Sequence, residues 1–521
     1  MSATTDFDVI VIGGGGSGYA AASTAARLGV RVAMVEGSKL GGTCLNVGCV
    51  PTKALVRSAQ VLESARRAAE FGVEVGEVRL DFEAVMRRKR AIIESFSGEG
   101  PVESLRAQRI ELLQGPAAFV DPHTLRVGDA VYTGARFVIA TGSASVIPDL
   151  PGLADIPYLT SDTILGLEAL PQSLLIVGGG IIGCEFASIF NTFGSRVTVV
   201  GRRLLGSEDE DVSEELYNSF TRRGIEVLRR SRATGFRRER GQTLVSIRYD
   251  DGHAEEREAE AVLLAVGRRA SHDGLSLPAA GVHTLPNGSV EVGSDMSTNV
   301  PHIWASGDVT GMHMYTHSGD YMGETAGRNA AGVSPRHEAD FAVVPRPVYS
   351  LPEVAAIGLT EREADCVDCD LEIAKVHFKK ISRARINGET EGWCKIIAER
   401  VSGRILGASI VGPEANELIG EIATAMAGGV SAWTLGDTLH PYPTVSEIVR
   451  WTADQIGKDR EPRAGTEVRQ ALYTETAPEL RVRPSATGRD EPVTPEEVRE
   501  VSEARFGYGQ EPECVEEATV L

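Results

Sequence analysis

The N-terminal glycine-rich segment constrains the fold of this chain more than any other feature of its sequence. Residues 7–12 are an apolar run typical of a buried strand, and Gly13, Gly15 and Gly18 follow in the spacing G-x-G-x-x-G. An alanine-rich helix pattern comes next, and then a second apolar strand pattern that ends at Glu36. This order predicts a β-α-β unit that binds a dinucleotide, with the pyrophosphate at the helix N-terminus and Glu36 on a ribose.

The same unit occurs a second time along the chain. Gly178, Gly180 and Gly183 follow a strand pattern over residues 173–177, and a second strand pattern covers residues 196–200. The two sets of glycines keep a constant offset of 165 residues. Two dinucleotide sites of one architecture are therefore predicted, and we expect FAD at the first and a nicotinamide coenzyme at the second.

The two copies differ at the position that reads the ribose. The first copy has Glu36 there, whereas the second has Gly201, followed by Arg202 and Arg203. A glycine removes a carboxylate that would repel a 2′-phosphate, and guanidinium groups pair well with phosphate. This difference favours NADPH over NADH at the second site. The alternative is that both arginines simply face solvent.

Cys44 and Cys49 lie just after the first unit, in the segment GGTCLNVGCVPTK of residues 41–53. In a straight helix these positions would be about 7.5 Å apart along the axis, and a disulfide needs its Cα atoms about 4.4–6.8 Å apart. The segment must therefore bend, and Gly48 permits a bend that Pro51 can follow with a new turn. We interpret the two cysteines as a redox-active pair rather than a structural disulfide.

Composition excludes several classes of protein. A chain of 521 residues with 42% hydrophobic and 24% charged residues is ordinary for a globular protein of several domains. The net charge of -20 argues against nucleic acid as a partner. No apolar run approaches the roughly 20 residues that cross a bilayer, and no secretory signal is recognisable, so no membrane partner is expected. Seven cysteines are too few for a secreted disulfide scaffold, and a cytoplasmic location is expected.

Taken together, these motifs resemble the flavoprotein disulfide reductases, which include glutathione reductase, dihydrolipoyl dehydrogenase and mercuric reductase. The resemblance covers about residues 6–455 and extends to residues 136–143, 261–268, 303–309 and 344–361. It implies an α/β fold with two Rossmann-type dinucleotide-binding domains and a C-terminal α+β dimerisation domain. It also implies that the protein is a homodimer.

The resemblance also implies domain boundaries. We expect an FAD domain over residues 1–150, a NAD(P)H domain over 151–270, a second part of the FAD domain over 271–335 and an interface domain over 336–457. Residues 458–521 are rich in Pro, Glu and Arg and extend beyond the family pattern, so a flexible tail is expected. One short helix is predicted within it, with Thr494 as cap and Glu497 three residues later.

Roles for individual residues follow from the same resemblance. Electrons from NADPH would pass by way of FAD to the Cys44–Cys49 disulfide, with Cys49 next to the flavin and Cys44 attacking the acceptor. Lys53 and Glu185 match an ion pair near the reactive nitrogen of the flavin. Further positions that match cofactor-binding residues are Thr43, Lys53, Ala117, Thr141, Gly142, Gly267 and Asp308.

The chain departs from the disulfide-reducing members at Tyr442. Glutathione reductase and dihydrolipoyl dehydrogenase carry a catalytic histidine at that position, oriented by a glutamate that is retained here as Glu447. A free tyrosine titrates near 10 and a histidine near 6.5, so a tyrosine is a much poorer base at neutral pH. Mercuric reductases also carry tyrosine there, and soft thiolates suit Hg(II) and Cu ions. A metal-ion acceptor is therefore favoured, with Cys44, Cys49 and Tyr442 at the site.

Alternatives stay open at this stage. His440 lies nearby in sequence and could act as a displaced base, in which case the protein would be a dihydrolipoyl dehydrogenase or another reductase of a low-molecular-weight disulfide. Mercuric reductases end in a vicinal cysteine pair, whereas this chain has only Cys514 near its end. Cys366 and Cys369 form a Cys-x-x-Cys that we interpret as coincidental, because a structural zinc site needs four ligands and no second pair lies nearby. No resident metal is predicted.

Overall fold

The computed structural model describes residues 5–98, 100–458, 479–485, 488–489 and 492–504. Its backbone contacts divide the chain into two compact units. The first comprises Met1–Gly178, Ile189–Val200 and Ser231–Asp340, and the second comprises Gly179–Ser188, Gly201–Arg230 and Phe341–Leu521. The architecture is the predicted α/β fold of two Rossmann-type domains and a C-terminal α+β domain, whereas the exact domain boundaries stay a prediction.

The first parallel sheet is built on the N-terminal strand Phe7–Ile12. Val32–Glu36 and Ala130–Ile139 pair with it in parallel on its two sides. The central strand is buried almost throughout, which explains its nearly continuous apolar sequence. The strands of this sheet are Phe7–Ile12, Val32–Glu36, Ile110–Gln114, Ala117–Asp121, Thr124–Val127, Ala130–Ile139 and Ile303–Ala305.

The second parallel arrangement in the first unit has Ser173–Val177 at its centre. Arg196–Val200 and Ala261–Leu264 pair with it in parallel, so the strands flanking the second glycine motif lie as the sequence predicts. An antiparallel sheet of Ser231–Glu239, Gln242–Tyr249 and Ala254–Ala259 follows in sequence. A two-stranded ribbon joins Ser143–Ser145 to Arg268–Ala270.

Helices connect the strands of the first unit. The longest is Cys49–Arg66, and among the described helices none is both long and apolar enough to cross a membrane. The α-helices that begin in this unit are Gly16–Arg27, Gly42–Val47, Cys49–Arg66, Phe82–Ser97, Gly100–Ala107, Leu277–Ala280 and Thr316–Ala330. Short 3-10 turns are Ala68–Phe71, Leu153–Asp155, Ile164–Gly166 and Gly307–Thr310.

The second unit is built around an antiparallel sheet with a continuous apolar core. In spatial order its strands are Arg346–Val348, Glu353–Gly358, Ile405–Gly412, Trp393–Glu399, Leu371–His377 and Glu479–Arg483. The helices Ala415–Ala427 and Glu447–Ala453 bury their apolar faces in this core. Its other helices are Ile181–Phe193 (which begins here), Glu210–Arg222, Glu361–Ala364, Ser382–Asn387, Ala432–Asp437 and Pro495–Ala504. It also contains the short strand Glu226–Leu228 and the 3-10 turns Asp365–Val367 and Phe378–Lys380.

The described part of the C-terminal extension contains one strand and one helix, while the flexible tail stays a prediction. Glu479–Arg483 adds an antiparallel strand to Leu371–His377. The predicted helix is present as Pro495–Ala504, and its capping box is confirmed by Thr494 and Glu497, which exchange backbone-to-side-chain hydrogen bonds of 2.6 and 3.2 Å. A strand that gains its hydrogen bonds from a distant edge carries no signal in a charged local sequence.

A buried charge cluster lies behind this added strand. The Lys395 side chain is fully buried, and its ammonium lies 2.8 Å from Asp209, 2.7 Å from Asp211 and 2.8 Å from Glu361. Arg481 of the added strand also contacts Glu361, at 2.8 Å. The three carboxylates are close enough to share a cation, and the lysine ammonium supplies that positive charge. The extension is therefore held by charge as well as by backbone pairing.

Candidate active site

The two candidate redox cysteines lie on either side of a break between two helices. Gly42–Val47 carries Cys44, and the next helix starts at Cys49. Gly48 between them has φ -138° and ψ -111°, which is far from helical, and a Cβ there would lie 2.9 Å from the Thr43 carbonyl oxygen. The predicted bend at Gly48 is confirmed, and Pro51 lies in the first turn of the second helix.

The two thiols lie together beside the helix Thr316–Ala330. The Cys49 sulfur is 3.4 Å from the hydroxyl of Thr316. The pKa of the Cys44 thiol is raised above its ordinary value, first by a hydrogen bond with Cys49 and then by burial, with a smaller contribution from Asp320. This hydrogen bond places the two sulfur atoms side by side, without a disulfide bond between them.

A cavity of about 650 Å³ opens onto Cys44. Its walls include the first turn of the helix Gly16–Arg27, apolar side chains such as Phe96 and Leu105, and one face of the helix Thr316–Ala330. Cys44 lines this cavity. An acceptor that enters it would therefore meet the Cys44 sulfur.

The first glycine motif is packed tightly at two of its three glycines. A Cβ at Gly13 would lie 2.2 Å from the Ala140 carbonyl oxygen, and one at Gly18 would lie 1.9 Å from the Gly13 carbonyl oxygen. A Cβ at Gly15 would lie 3.9 Å from its nearest atom, so packing against the protein does not require a glycine there. The helix N-terminus beside Gly15 has no side-chain cap. A loop with these features has backbone N–H groups available to bind a pyrophosphate and open space in which to hold it.

The residues around this loop fit a bound FAD. Glu36 ends the strand Val32–Glu36, and its carboxylate accepts hydrogen bonds from the N–H groups of Gly14 at 2.8 Å and Ser38 at 2.6 Å. The Ser143 hydroxyl donates to Asp308. Among the described residues the buried hydroxyl oxygen of Thr141 has no hydrogen-bond partner. An orphaned hydroxyl beside the glycine loop is what a missing ligand would leave.

The cysteine segment is tied directly to the first glycine loop. The Gly41 N–H donates to the Gly14 carbonyl oxygen at 2.8 Å. A Cβ on Gly42 would lie 2.9 Å from Gly15 Cα, so the two backbones touch. The cysteines are therefore held next to the dinucleotide loop by main-chain contacts.

The second glycine motif repeats the pattern of the first. A Cβ at Gly178 would lie 2.2 Å from the Ala265 carbonyl oxygen, whereas no atom lies within 4 Å of one at Gly180. Gly183 lies in the first turn of the helix Ile181–Phe193. Arg202 and Arg203 are both exposed.

The two arginines differ in how their side chains are used. The Arg203 guanidinium donates to the carbonyl oxygens of Gly206 and Glu208 in its own loop. Because its own loop holds Arg203, the exposed Arg202 is the side chain that we keep as the candidate for a phosphate.

The loop before the helix Glu447–Ala453 holds three predicted residues. Tyr442 is 67% exposed, and its hydroxyl is 3.4 Å from that of Ser382. Glu447 is buried and accepts a hydrogen bond from the Thr444 N–H at 3.3 Å. The ring of His440 points inward, 2.7 Å from Glu421 and 3.0 Å from the Thr438 carbonyl oxygen. Both of its nitrogens are thus engaged, and the role of His440 as a displaced base stays a prediction.

The remaining predicted residues are distributed over both units. Thr43 and the half-buried Lys53 lie in the two cysteine helices. Glu185 lies in the second unit, where it is buried and accepts from the Tyr349 N–H at 3.0 Å, so its ion pair with Lys53 stays a prediction. The other predicted positions, Ala117, Gly142 and Gly267, lie at the start of a strand and in loops beside the sheet strands of the first unit.

Sequence reasoning missed Thr316 and Asp320. Thr316 is 267 residues from Cys49, and nothing in its local sequence connects it to the cysteines. The signal lies only in the tertiary structure, where the start of the helix Thr316–Ala330 meets the cysteine segment.

Cys366 is in a disulfide, whereas Cys369 is a buried free thiol. The Cys-x-x-Cys is therefore not a bonded pair. Cys514 lies outside the described residues.

Comparison with known proteins decides the family. Residues 7–326 match the family model for pyridine nucleotide-disulphide oxidoreductases, and residues 344–453 match the dimerisation domain of the same family. This chain belongs to the pyridine nucleotide-disulphide oxidoreductases. Members of this family are FAD-dependent enzymes that use NAD(P)H. The first glycine loop, with Gly13, Gly15 and Gly18, fits the FAD.

Relatives with different acceptors resemble this family member to a similar degree. Dihydrolipoyl dehydrogenase of Bacillus subtilis is 37% identical over 463 residues, which cover 85% of this chain and 97% of the relative. Mercuric reductase of Streptomyces lividans is 34% identical over 466 residues, covering 88% and 98%. The Cu(II) complex of the HOCl-induced flavoprotein disulfide reductase RclA from Escherichia coli has a TM-score of 0.77 and 29% identity, covering 87% of this chain and 100% of that one.

Proposed function

We propose that this protein oxidises NADPH and passes two electrons through Cys44 and Cys49 to a soft metal ion such as Hg(II) or Cu(II). The observation that carries the choice of acceptor is Tyr442, which stands where the disulfide-reducing members have a catalytic histidine. Reduction of a disulfide requires a base and an acid for the leaving thiol. Reduction of a metal ion requires ligands and electrons, which two thiols and a phenol can supply.

The electron count agrees with this acceptor. One hydride from NADPH carries two electrons, which reduce Hg(II) to Hg(0), or two Cu(II) to two Cu(I), and NADP⁺ and one proton are released as the other products. Bound FAD supplies the conversion between a hydride and the electron pair. Gly13, Gly15 and Gly18 would hold its pyrophosphate, and Asp308 its ribityl chain.

The residues of this chain divide the remaining work. Cys44 lines the cavity and would bind the incoming metal, while Cys49, beside Thr316, would receive the electron pair. The proposed Lys53–Glu185 pair would place a positive charge near the flavin, which favours a thiolate there. Arg202 would pair with the 2′-phosphate of NADPH, since Gly201 leaves no carboxylate against it.

The proposed assembly is a homodimer. A matched dimerisation domain over residues 344–453 supports this assembly. Tyr442 is 67% exposed within its own chain, which suits a side chain that completes the cavity of a partner subunit. Glu447 would hold the backbone of this loop in place through Thr444.

The similar proteins supply two lines of support for different acceptors. One solved structure with 29% identity is a Cu(II) complex, which favours a copper or mercury acceptor. The 37% identity to a dihydrolipoyl dehydrogenase favours lipoamide, the oxidised disulfide form, which we keep as the second candidate acceptor. The substituted histidine position decides our preference for the metal.

A substrate panel tests the proposal. Purified holoenzyme should oxidise NADPH, followed by absorbance, with Hg(II) in excess thiol or with Cu(II), and should be slow with lipoamide. Tyr442→Phe should lower kcat/KM for the metal about tenfold, because one ligand oxygen is lost. Tyr132→Phe, which removes a hydroxyl from the strand Ala130–Ile139, is the matched control and should leave the rate unchanged.

Turnover of lipoamide with no metal-dependent oxidation of NADPH would contradict the proposal and select the second candidate. In that case Tyr442→His should raise the lipoamide rate, because it restores the base of the disulfide-reducing members. An equal loss of kcat/KM in Tyr442→Phe and Tyr132→Phe would show that the Tyr442 phenol is not a ligand in the reaction.

A further inference from the structure

The cavity at Cys44 carries an unequal distribution of charge. Among the described residues that line it, the charged ones are Arg27, Asp320 and Glu324, which leaves one excess negative charge. Arg27 is exposed, and its guanidinium donates to Thr24 at 3.0 Å. The remaining polar lining residues on the helix Gly16–Arg27 are neutral.

The two carboxylates lie on one face of a single helix. Thr316, Asp320 and Glu324 are four residues apart in the helix Thr316–Ala330, a spacing that stacks side chains one turn above another. All three line the cavity, and Thr316 contacts the Cys49 sulfur at 3.4 Å. The row of oxygens therefore begins at the cysteines and runs outward along the cavity wall.

Asp320 is half-buried and Glu324 is exposed, so they form the inner and outer steps of this row. A Cβ on Gly16 would lie 2.6 Å from an Asp320 carboxylate oxygen, which places this carboxylate against the start of the helix Gly16–Arg27. Burial, and then Glu324, raise the pKa of Asp320, as expected for neighbouring acids in a recess.

We propose that Asp320 and Glu324 select the acceptor by its charge, so that the cavity admits cationic soft-metal species and disfavours anionic ones. This inference rests on the proposed function, whose metal acceptor it restricts to a charge class. A carboxylate in a partly enclosed cleft attracts a cation and repels an anion at short range, and low-dielectric walls focus that field. Asp320 and Glu324 are thus specificity-determining residues for the reaction at Cys44.

Alkylation of the reduced holoenzyme measures this field without any turnover. Iodoacetamide is neutral and iodoacetate is an anion of similar size, so the ratio of their rates at Cys44, read by peptide mass spectrometry, reports the local charge. For the wild type at about pH 8, we compare the ratio of the iodoacetate rate to the iodoacetamide rate. This ratio should be roughly fivefold lower at Cys44 than for a small neutral thiol.

Removal of the charges should reverse the effect. Asp320→Asn and Glu324→Gln together should raise the iodoacetate-to-iodoacetamide ratio about threefold to tenfold. Glu324→Gln alone, at an exposed position that the fold tolerates, should give part of that rise. Glu338→Gln removes one exposed charge away from the cavity lining and should leave the ratio unchanged. An unchanged ratio in the double variant would overturn the proposal.

Turnover separates this inference from the proposed function. Hg(II) carrying two cysteamine ligands is cationic, and Hg(II) carrying two mercaptoacetate ligands is anionic. The wild type should show the higher kcat/KM with the cationic complex, and the double variant should lose most of that preference. Equal kcat/KM for both complexes would overturn charge selection but leave the metal reductase intact. Turnover of neither complex, with no oxidation of NADPH by Cu(II) either, would overturn the proposed function, while the alkylation ratio would still report the charge at Cys44.

Discussion

The two dinucleotide units of this chain share one backbone plan and differ at the residue that meets the ribose. Gly13 and Gly178 both have φ near +115° to +119°, and a Cβ on either would lie 2.2 Å from a carbonyl oxygen of a neighbouring strand end. The first copy then ends in Glu36, whose carboxylate holds the loop N–H of Gly14, whereas the second ends in Gly201.

This comparison separates glycines that the fold requires from glycines that a ligand requires. Gly13 and Gly178 are demanded by backbone packing in both copies. A Cβ on Gly15 would meet no atom closer than 3.9 Å, and one on Gly180 would meet none within 4 Å, so the space on this side of each glycine is open to a ligand. The ribose position then sets which dinucleotide each copy takes.

The largest expected effect is at the packed glycines. Gly13→Ala and Gly178→Ala should each destabilise the protein by about 3 kcal/mol or more, because the new Cβ meets a backbone oxygen and the positive φ adds strain. Urea and thermal unfolding measure this loss. Gly194→Ala is the control, since Gly194 has φ +115° with no atom within 4 Å of a Cβ, and it should cost only about 1–2 kcal/mol. Equal losses at Gly194 and Gly13 would show that strain alone matters.

An intermediate effect is expected at the open glycines. Gly15→Ala and Gly180→Ala should change the free energy of unfolding by about 1 kcal/mol or less, yet weaken dinucleotide binding about tenfold, because the methyl group occupies the space of the pyrophosphate. FAD retention measures the first variant, and the Kd of NADPH measures the second. If either variant bound its dinucleotide normally, the distinction between packing and ligand glycines would be lost for that copy.

The smallest effect concerns the choice between NADPH and NADH. Arg202→Ala should lower the ratio of kcat/KM for NADPH over NADH about tenfold, the value of one charge-assisted hydrogen bond. Arg203→Ala should change this ratio less, because its guanidinium is already used by the carbonyl oxygens of Gly206 and Glu208. Steady-state rates with both coenzymes provide the measurement. A larger effect at Arg203 would reassign the phosphate to that side chain.

Sequence reasoning succeeded where the controlling contacts are local. The strands Ser173–Val177 and Arg196–Val200 have the predicted bounds, and the helix break at Gly48 follows from the short spacing of Cys44 and Cys49. The capping box of Thr494 was readable because its two partners are three residues apart. Each of these features depends on backbone preferences within a few residues.

Reasoning from sequence failed where distant segments meet. The strand Glu479–Arg483 is rich in charge and takes its hydrogen bonds from Leu371–His377, so no local pattern announces it. Lys395 is fully buried only because three carboxylates from two other segments surround it. Thr316 and Asp320 become candidate site residues only because the fold places them beside the cysteines.

The sequence by itself determined the duplicated nucleotide unit, the cysteine pair and the tyrosine at the histidine position, because each is a short pattern whose chemistry depends on residue type and spacing. The tertiary structure alone decided that Cys44 opens onto a cavity with two carboxylates on one wall, and that His440 turns inward to Glu421. Charge acts through space rather than along the chain, so the electrostatic character of a site becomes visible only once distant side chains have been brought together.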